Sequence, residues 1–166
     1  MSLVVLLGGA RSGKSSLAVR LATERGGAVT FVATAEPRDE EMAARIDAHR
    51  LERPPGWTTV EEAVDLRGAL VRAPAGETVV VDCLSLWVAN LLERGIDVDG
   101  ESTAAAAAAA GREGLTLAVS NEVGLGIVPA NALARAYRDA LGRVNAAWVG
   151  DADEAFFCVA GRTIRL

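Results

Sequence analysis

Lysine and histidine are almost missing from this 166-residue sequence, which has one of each, Lys14 and His49, beside 16 arginines. Aromatic residues make up only 4% of the chain and the basic residues do not cluster, so it lacks the stacking and charged surfaces of nucleic-acid-binding proteins. Its first apolar run, Leu3 to Leu7, is too short for a signal peptide or a membrane span. These absences predict a cytoplasmic protein with no nucleic-acid partner and no membrane span.

The remaining composition is typical of a folded domain. Hydrophobic residues make up 51% of the chain and the formal net charge is −5. A chain of this length is expected to form one domain, since roughly 100–200 residues make a domain. The two cysteines, Cys83 and Cys158, lie in or beside apolar runs without C-x-x-C spacing. We therefore expect both thiols to be buried in the core.

Short apolar runs alternate with segments of helical periodicity along the whole chain. The runs predict strands at 3–7, 28–33, 78–81, 115–119 and 155–159, and the periodic segments predict helices at 15–25, 84–94 and 132–148. A further helix is expected to begin near Pro37 and to stop at Pro54, and the alanine run 104–110 favours a short one. This alternation predicts an α/β domain with a mostly parallel sheet, whose ligands bind at the carboxyl ends of the strands.

A glycine-rich motif stands between the first predicted strand and the first helix. It fits G-x-x-x-x-G-K-[ST] and consists of Gly8, Gly9, Ala10, Arg11, Ser12, Gly13, Lys14 and Ser15. Its backbone N–H groups would cradle phosphates, with Lys14 reaching the β- and γ-phosphates and Ser15 coordinating Mg²⁺. A compact ammonium suits this position better than a planar guanidinium, which explains why the one lysine is here. The motif predicts a P-loop NTPase domain with a RecA-like three-layer fold.

Polar residues follow two other predicted strands. Asp82 ends the Val79–Val81 run and is placed to hold Mg²⁺ directly or through water. Beyond the fourth strand lie Asn121, Glu122, Gly124 and Gly126, which are candidates for binding the substrate. A glycine turn capped by the glutamate is the alternative interpretation of those four residues.

The single histidine has two interpretations. Met42 and Ile46 share its predicted helical face, which favours a packed side chain. Against this, Arg50 and Arg53 follow His49, and a neutral imidazole beside two guanidinium groups is a competent nucleophile for phosphorus. The spacing alone leaves both interpretations open.

Six segments resemble one enzyme family. They read G-G-A-R-S-G-K-S at 8–15, A-T-A at 33–35, D-E-E-M-A-A-R-I-D-A-H-R-L-E-R-P at 39–54, D-C-L-S-L-W-V-A-N-L-L at 82–92, S-N-E-V-G-L-G-I-V-P at 120–129 and L-A-R-A-Y-R-D at 133–139. The chain thereby resembles the bifunctional adenosylcobinamide kinase / adenosylcobinamide-phosphate guanylyltransferase family of cobalamin biosynthesis. The histidine segment and the S-N-E-V-G segment are specific to that family, whereas a P-loop is generic.

The resemblance implies two reactions and the residues that serve them. His49 would become covalently guanylylated, and the substrates would be GTP or ATP with Mg²⁺, adenosylcobinamide and adenosylcobinamide phosphate. Nucleotide contacts beyond the P-loop are implied for Ala33, Thr34, Ala35, Arg50, Leu51, Glu52, Arg53, Glu61 and Asp82. No permanently bound cofactor is expected. A homo-oligomer, a trimer, is also implied, and Trp87 and Trp148 support it only weakly because either could belong to the core.

Two other functions compete with this one. The chain could be a simple P-loop kinase of small molecules in which His49 is structural. It could also be a nucleotide-dependent switch or ATPase module that acts on a protein partner. The small size and the absence of a lid or helicase insertion weigh against a motor.

Overall fold

The computed structural model describes residues 2–51 and 53–166, which contain seven β-strands and six α-helices. The strands are β1 (Leu3–Gly8), β2 (Val29–Ala33), β3 (Thr58–Glu61), β4 (Thr78–Asp82), β5 (Thr116–Asn121), β6 (Glu154–Val159) and β7 (Arg162–Arg165). The helices are α1 (Lys14–Arg25), α2 (Glu40–Leu51), α3 (Leu66–Arg72), α4 (Leu84–Glu93), α5 (Val98–Ala110) and α6 (Ala132–Asp151).

All seven strands form one sheet in the order β3-β2-β4-β5-β1-β6-β7. The pairs among the first six strands are parallel, and β7 runs antiparallel along β6. Helix α1 covers one face, where Ala18 and Ala22 pack against strand residues, and helices α3 to α6 cover the other, around the fully buried Trp87 and Trp148. The predicted three-layer α/β fold with a mostly parallel sheet is therefore confirmed.

The strand register aligns the carboxyl ends along one edge of the sheet. Gly8 of β1 pairs with Asn121 of β5 and with Cys158 of β6. On the other side, Ala33 of β2 pairs with Asp82 of β4 and with Glu61 of β3. Residues far apart in sequence thus meet where parallel α/β sheets bind ligands.

Three elements were not predicted from the sequence: β3, α3 and β7. The alanine-rich helix α5 is also longer than expected, because it begins at Val98 rather than at the alanine run. The support for an oligomer drawn from Trp87 and Trp148 was wrong, because both side chains are 0% exposed. Cys83 and Cys158 are buried free thiols as predicted, and burial raises the pKa of Cys83 to about 11.

No helix in the described parts of the chain combines the length and the apolar character needed to cross a bilayer.

Helix α2 is attached to α4 and to β3 mainly through its two ends. Apart from Arg45, whose side chain is not described, every residue of α2 is at least partly exposed. Before its start, Arg38 donates hydrogen bonds to Glu93 and to Asn90 Oδ1, the latter at 2.6 Å. In its last turn, Arg50 forms an ion pair with Glu61. Charged contacts, rather than a buried apolar stripe, therefore fix the position of this helix.

A carboxylate tethers the amino end of the central strand β1. Asp153 Oδ2 accepts hydrogen bonds from the backbone N–H groups of Ser2 and Leu3, at 2.6 and 3.1 Å. These bonds favour the ionised form and lower the pKa of Asp153. A lowered pKa in the folded state stabilises the protein above the ordinary aspartate pKa of about 3.9, and the contribution is lost as the pH falls through the lowered value.

We expect Asp153→Asn to lower the midpoint of thermal unfolding at pH 7 by a few degrees, and the difference from wild type to fade below about pH 4. Thermal unfolding of both proteins between pH 7 and pH 3 measures this. Asp151→Asn, at the exposed end of α6, is the matched control and should unfold like wild type throughout. A difference that stayed the same at every pH would contradict the ionic origin of the tether.

Candidate functional site

The P-loop has the backbone geometry that its glycines require. Gly13, the residue before α1, has φ +97°, and Gly8 has φ +152°. A Cβ atom on Gly8 would lie 2.3 Å from the carbonyl oxygen of Cys158, so β6 leaves no room for a side chain there. Lys14 is only 6% exposed, and its Nζ donates hydrogen bonds to the carbonyl of Gly9 and to Ser12 Oγ, the latter at 3.3 Å. The ammonium group is therefore held inside the loop.

The tip of the loop is open. Ala10 and Arg11 are exposed, and Arg11 adopts a left-handed φ of +55°. Gly9 and Ser15 are partly exposed at the entrance to the loop. All eight residues of the predicted motif thus surround one cradle between β1 and α1.

Asp82 joins the P-loop to the rest of the site. It ends β4, and its carboxylate is close enough to the hydroxyl of Ser15 for that group to act on its pKa. Burial raises the pKa of Asp82, while His49, Ser15, Arg53 and Lys14 lower it. A carboxylate oxygen next to a serine hydroxyl fits Mg²⁺, which proteins hold through one or two carboxylates plus substrate phosphates. Ser15 and Asp82 are therefore the residues that could hold this ion.

His49 lies at the same edge of the sheet. It stands in the last turn of α2 and is partly exposed, and it is close enough to Asp82 to act on the charge of that carboxylate. Met42 and Ile46 are also only partly buried. The structure thus brings together the histidine and the phosphate cradle, which the sequence placed 35 residues apart.

Arg53 makes contacts with β2 and β3 that the sequence did not reveal. Its guanidinium lies 3.9 Å above the centroid of the Phe31 ring, and its Nη1 donates a hydrogen bond to Thr59 Oγ1 at 3.2 Å. Its Nε is buried and has no hydrogen-bond partner within the described part of the chain. A fixed guanidinium with an unused donor is suited to a phosphate oxygen.

A cavity of about 460 Å³ lies beside this guanidinium. Its walls are the end of β3 and the turn that follows α2, with Arg50, Trp57 and Glu61 among the lining residues. Trp57 also contacts Phe31, with 6.5 Å between ring centroids. An aromatic surface next to two arginines can accept a base and a phosphate.

The other residues predicted to bind the nucleotide are not all equally exposed. Leu51 is 87% exposed and Glu52 lies outside the described residues. Ala33 is buried at the end of β2, and Ala35 is partly exposed just beyond it. The ion pair between Arg50 and Glu61 joins α2 to β3.

Thr34 is positioned differently from the prediction. Its hydroxyl donates to the carbonyl of Cys83 at 2.7 Å and accepts the N–H of Cys83 at 2.9 Å. Its own N–H donates to the carbonyl of Asp82, and its carbonyl accepts from Asn90 Nδ2. The side chain is fully buried. Thr34 therefore holds the ends of β2 and β4 together and fixes Asp82, rather than presenting free groups to a nucleotide.

The segment after β5 has the geometry of the alternative interpretation, a capped turn. The carboxylate of Glu122 accepts the N–H of Gly124, and the N–H of Glu122 donates to the carbonyl of Gly8 at 3.0 Å. Asn121 Nδ2 donates to Ser85 Oγ at 3.0 Å. Gly126 is exposed. The segment thus begins against the P-loop and then projects from the sheet edge.

Comparisons with known proteins show the family of this chain. A family model described as "Cobinamide kinase / cobinamide phosphate guanyltransferase" matches residues 4–166. The "Bifunctional adenosylcobalamin biosynthesis protein CobP" of Pseudomonas aeruginosa is 45% identical over 160 residues, which are 95% of this chain and 92% of that protein. The "Bifunctional adenosylcobalamin biosynthesis protein CobU" of Escherichia coli (strain K12) is 36% identical over 183 residues and 99% of each chain.

Among solved structures, the RadB recombinase superposes with a TM-score of 0.50 at 15% identity, over 94% of this chain and 73% of that one. This likeness shows a RecA-like P-loop NTPase fold.

Proposed function

This chain belongs to the cobinamide kinase / cobinamide phosphate guanyltransferase family, and on that premise we propose how its residues carry out two reactions at one site. The protein is an enzyme with both activities. It phosphorylates adenosylcobinamide and then transfers GMP from GTP to adenosylcobinamide phosphate. The products of the second reaction are adenosylcobinamide-GDP and pyrophosphate. The observation that carries the proposal is that Lys14, Ser15, His49 and Arg53 all lie close enough to Asp82 to act on its carboxylate, beside a P-loop that holds Lys14 in place.

In the kinase reaction the P-loop binds the nucleoside triphosphate. The hydroxyl oxygen of adenosylcobinamide forms a bond to the γ-phosphorus, the bond from that phosphorus to the β,γ-bridging oxygen breaks, and the hydroxyl proton is released. Lys14 stabilises the negative charge that moves onto the leaving diphosphate. Mg²⁺, held by Ser15 and Asp82, would neutralise phosphate charge when bound.

In the transferase reaction His49 is the nucleophile. Its unprotonated ring nitrogen attacks the α-phosphorus of GTP, and pyrophosphate leaves with the electron pair of the broken P–O bond. A phosphate oxygen of adenosylcobinamide phosphate then attacks the same phosphorus, and the histidine nitrogen leaves. The guanidinium of Arg53, which lies over the Phe31 ring, then stabilises charge on the GMP phosphate. Two displacements thereby replace one more difficult displacement.

Incubation of the enzyme with GTP labelled at the α-phosphate tests this proposal. We expect label on the protein that is stable in base and labile in acid, as a phosphoramidate is, and that is released on addition of adenosylcobinamide phosphate. GTP labelled at the γ-phosphate is the matched control and should leave the protein unlabelled. GMP transfer without labelled protein would contradict the covalent intermediate.

Some finer predictions belong with this proposal. We propose that ATP or GTP serves the kinase reaction and that the enzyme is a cytoplasmic homotrimer, as the resemblance implies. The segment after β5 supports an assembly, since it exposes large apolar side chains, which mark interaction surfaces when they are contiguous. They are Val123, Leu125, Ile127, Val128 and Leu133.

A further inference from the structure

A second cavity, of about 260 Å³, adjoins the P-loop on the side away from α2. It lies where β6 and β7 extend the sheet beyond β1. Gly13, Ser16 and Leu17 line it from the P-loop and α1, and Cys158, Arg162 and Thr163 line it from the strands. Apart from Ser12 and Gly13 of the P-loop, the residues that line this cavity have no role in the two reactions described above.

The outer strand of the hairpin that lines this cavity, β7, adds little to the core. All four residues of β7 are exposed, and β7 pairs only with β6. The turn between them is tight, with Ala160 and Gly161 both in the left-handed region at φ +49° and +73°. Two such residues are typical of a type I′ hairpin, whose register is fixed. The N–H of Gly161 donates to the carbonyl of Ser12 at 3.1 Å, so the hairpin is fastened to the P-loop.

The cavity adjoins the end of the P-loop at which the ribose of a bound nucleotide would be attached to its α-phosphate. In a P-loop the lysine reaches the β- and γ-phosphates, while the backbone N–H groups at the start of the helix surround the α- and β-phosphates. The α-phosphate end of the cradle is therefore at Gly13 to Ser16. Gly13 and Ser16 both line the cavity, which places it next to the point where the ribose is attached.

The lining of the cavity suits a nucleoside. Leu17, Gly13 and Gly161 offer flat apolar surface for a purine ring. The hydroxyl groups of Ser16 and Thr163 can bond ribose, and the guanidinium of Arg162 can stack on the base or bind its edge. A mainly apolar pocket with a few polar groups is the usual form of a small-molecule site.

We propose that this cavity binds the base and ribose of the nucleoside triphosphate that donates its γ-phosphoryl group in the kinase reaction. The inference rests on the proposed function, because it assigns a second nucleoside position to the same cradle. In the transferase reaction GMP becomes bonded to His49, so its guanosine has to stay within reach of α2. The cavity beside Arg53 and Trp57 meets that requirement, whereas the one beside β7 lies on the far side of β1.

Thr163→Phe tests the proposal by filling the cavity from an exposed position. We expect the KM for ATP and for GTP in the kinase reaction to rise about tenfold, which is about 1.4 kcal/mol of binding free energy, with kcat within about twofold. Labelling of the protein by GTP with a labelled α-phosphate should keep its rate within about twofold. Ile164→Phe is the matched control, since successive strand residues point to opposite faces, and it should leave both KM values unchanged.

Two results would overturn the proposal. One is a kinase KM that Thr163→Phe leaves unchanged. The other is an equal loss of kinase and labelling activity in a variant whose thermal unfolding matches wild type, because one nucleoside site would then serve both reactions. If Thr163→Phe does not fold, Arg162→Ala decides the question in the same assays, with an expected increase in kinase KM of about fivefold. A wild-type enzyme that took up no label would overturn the role of His49 and leave the comparison of kinase KM values intact.

Discussion

His49→Asn should abolish covalent labelling by GTP and lower guanylyl transfer by at least about a thousandfold, while kinase turnover stays within about twofold of wild type. Asparagine keeps a polar side chain of similar size but has no nucleophilic nitrogen, so the phosphoramidate cannot form. The kinase reaction proceeds by direct displacement at the γ-phosphorus and does not need the imidazole. The expected result is therefore a clean separation of the two activities. Adenosylcobinamide phosphate should accumulate in a coupled assay.

Ala48→Asn is the matched control for this variant. Ala48 is the preceding residue of α2 and is exposed, so the same side chain is introduced one position away. We expect this control to be labelled like wild type. A His49→Asn protein that still took up label would show that another residue carries GMP. A parallel loss of kinase turnover would instead show that α2 is needed for nucleotide binding in both reactions.

Lys14→Ala should lower both activities by about a hundredfold or more. The ammonium is buried inside the P-loop and is positioned by Gly9 and Ser12. A water molecule in its place would not supply the same positive charge to the phosphates. Charge-assisted hydrogen bonds to phosphate are among the stronger polar interactions, and this one grows as charge moves onto the leaving group. In the proposed mechanism, Lys14 stabilises both leaving groups, pyrophosphate in the transferase reaction and the nucleoside diphosphate in the kinase reaction.

Two further variants sharpen that experiment. Lys14→Arg keeps the positive charge but replaces the compact ammonium group with a planar guanidinium group. We expect both activities of this variant to remain strongly impaired. Arg25→Ala removes an exposed charge from the far end of the same helix and should behave like wild type. Kinase turnover retained by Lys14→Ala would contradict the single shared cradle.

The parts of the fold that the sequence predicted are those in which local pattern and burial agree. The strands β1, β2, β4 and β5 are apolar because both of their faces are covered, and the P-loop glycines mark the start of α1 directly. By contrast, β3 and β7 are short and mostly exposed, so neither shows the alternation or the apolar run of a strand. Helix α3 has only seven residues and therefore offers too few turns for a period to be visible.

The candidate site also contains residues that the sequence could predict and residues whose positions depend on tertiary contacts. The P-loop and Asp82 could be predicted because a motif and a strand end identify them. The position of His49 could not, because it depends on how α2 is attached to the sheet. The stacking of Arg53 on Phe31 and the use of Thr34 as a link between β2 and β4 are likewise tertiary contacts. Phe31 and Arg53 are 22 residues apart in the sequence, and Thr34 and Cys83 are 49 residues apart, so only the folded chain brings them into contact.

Because α2 is attached through ion pairs at its ends, the position of His49, the proposed nucleophile, is expected to depend on salt concentration. Exposed ion pairs each contribute roughly 0–1 kcal/mol and are weakened by ionic strength, whereas the buried helices α4 and α6 are held by apolar packing. Elements with little buried surface are the ones that detach locally at low free-energy cost. In the proposed mechanism the GMP acceptor thus lies on a helix with little buried surface, while the phosphate cradle follows directly from the buried interior strand β1.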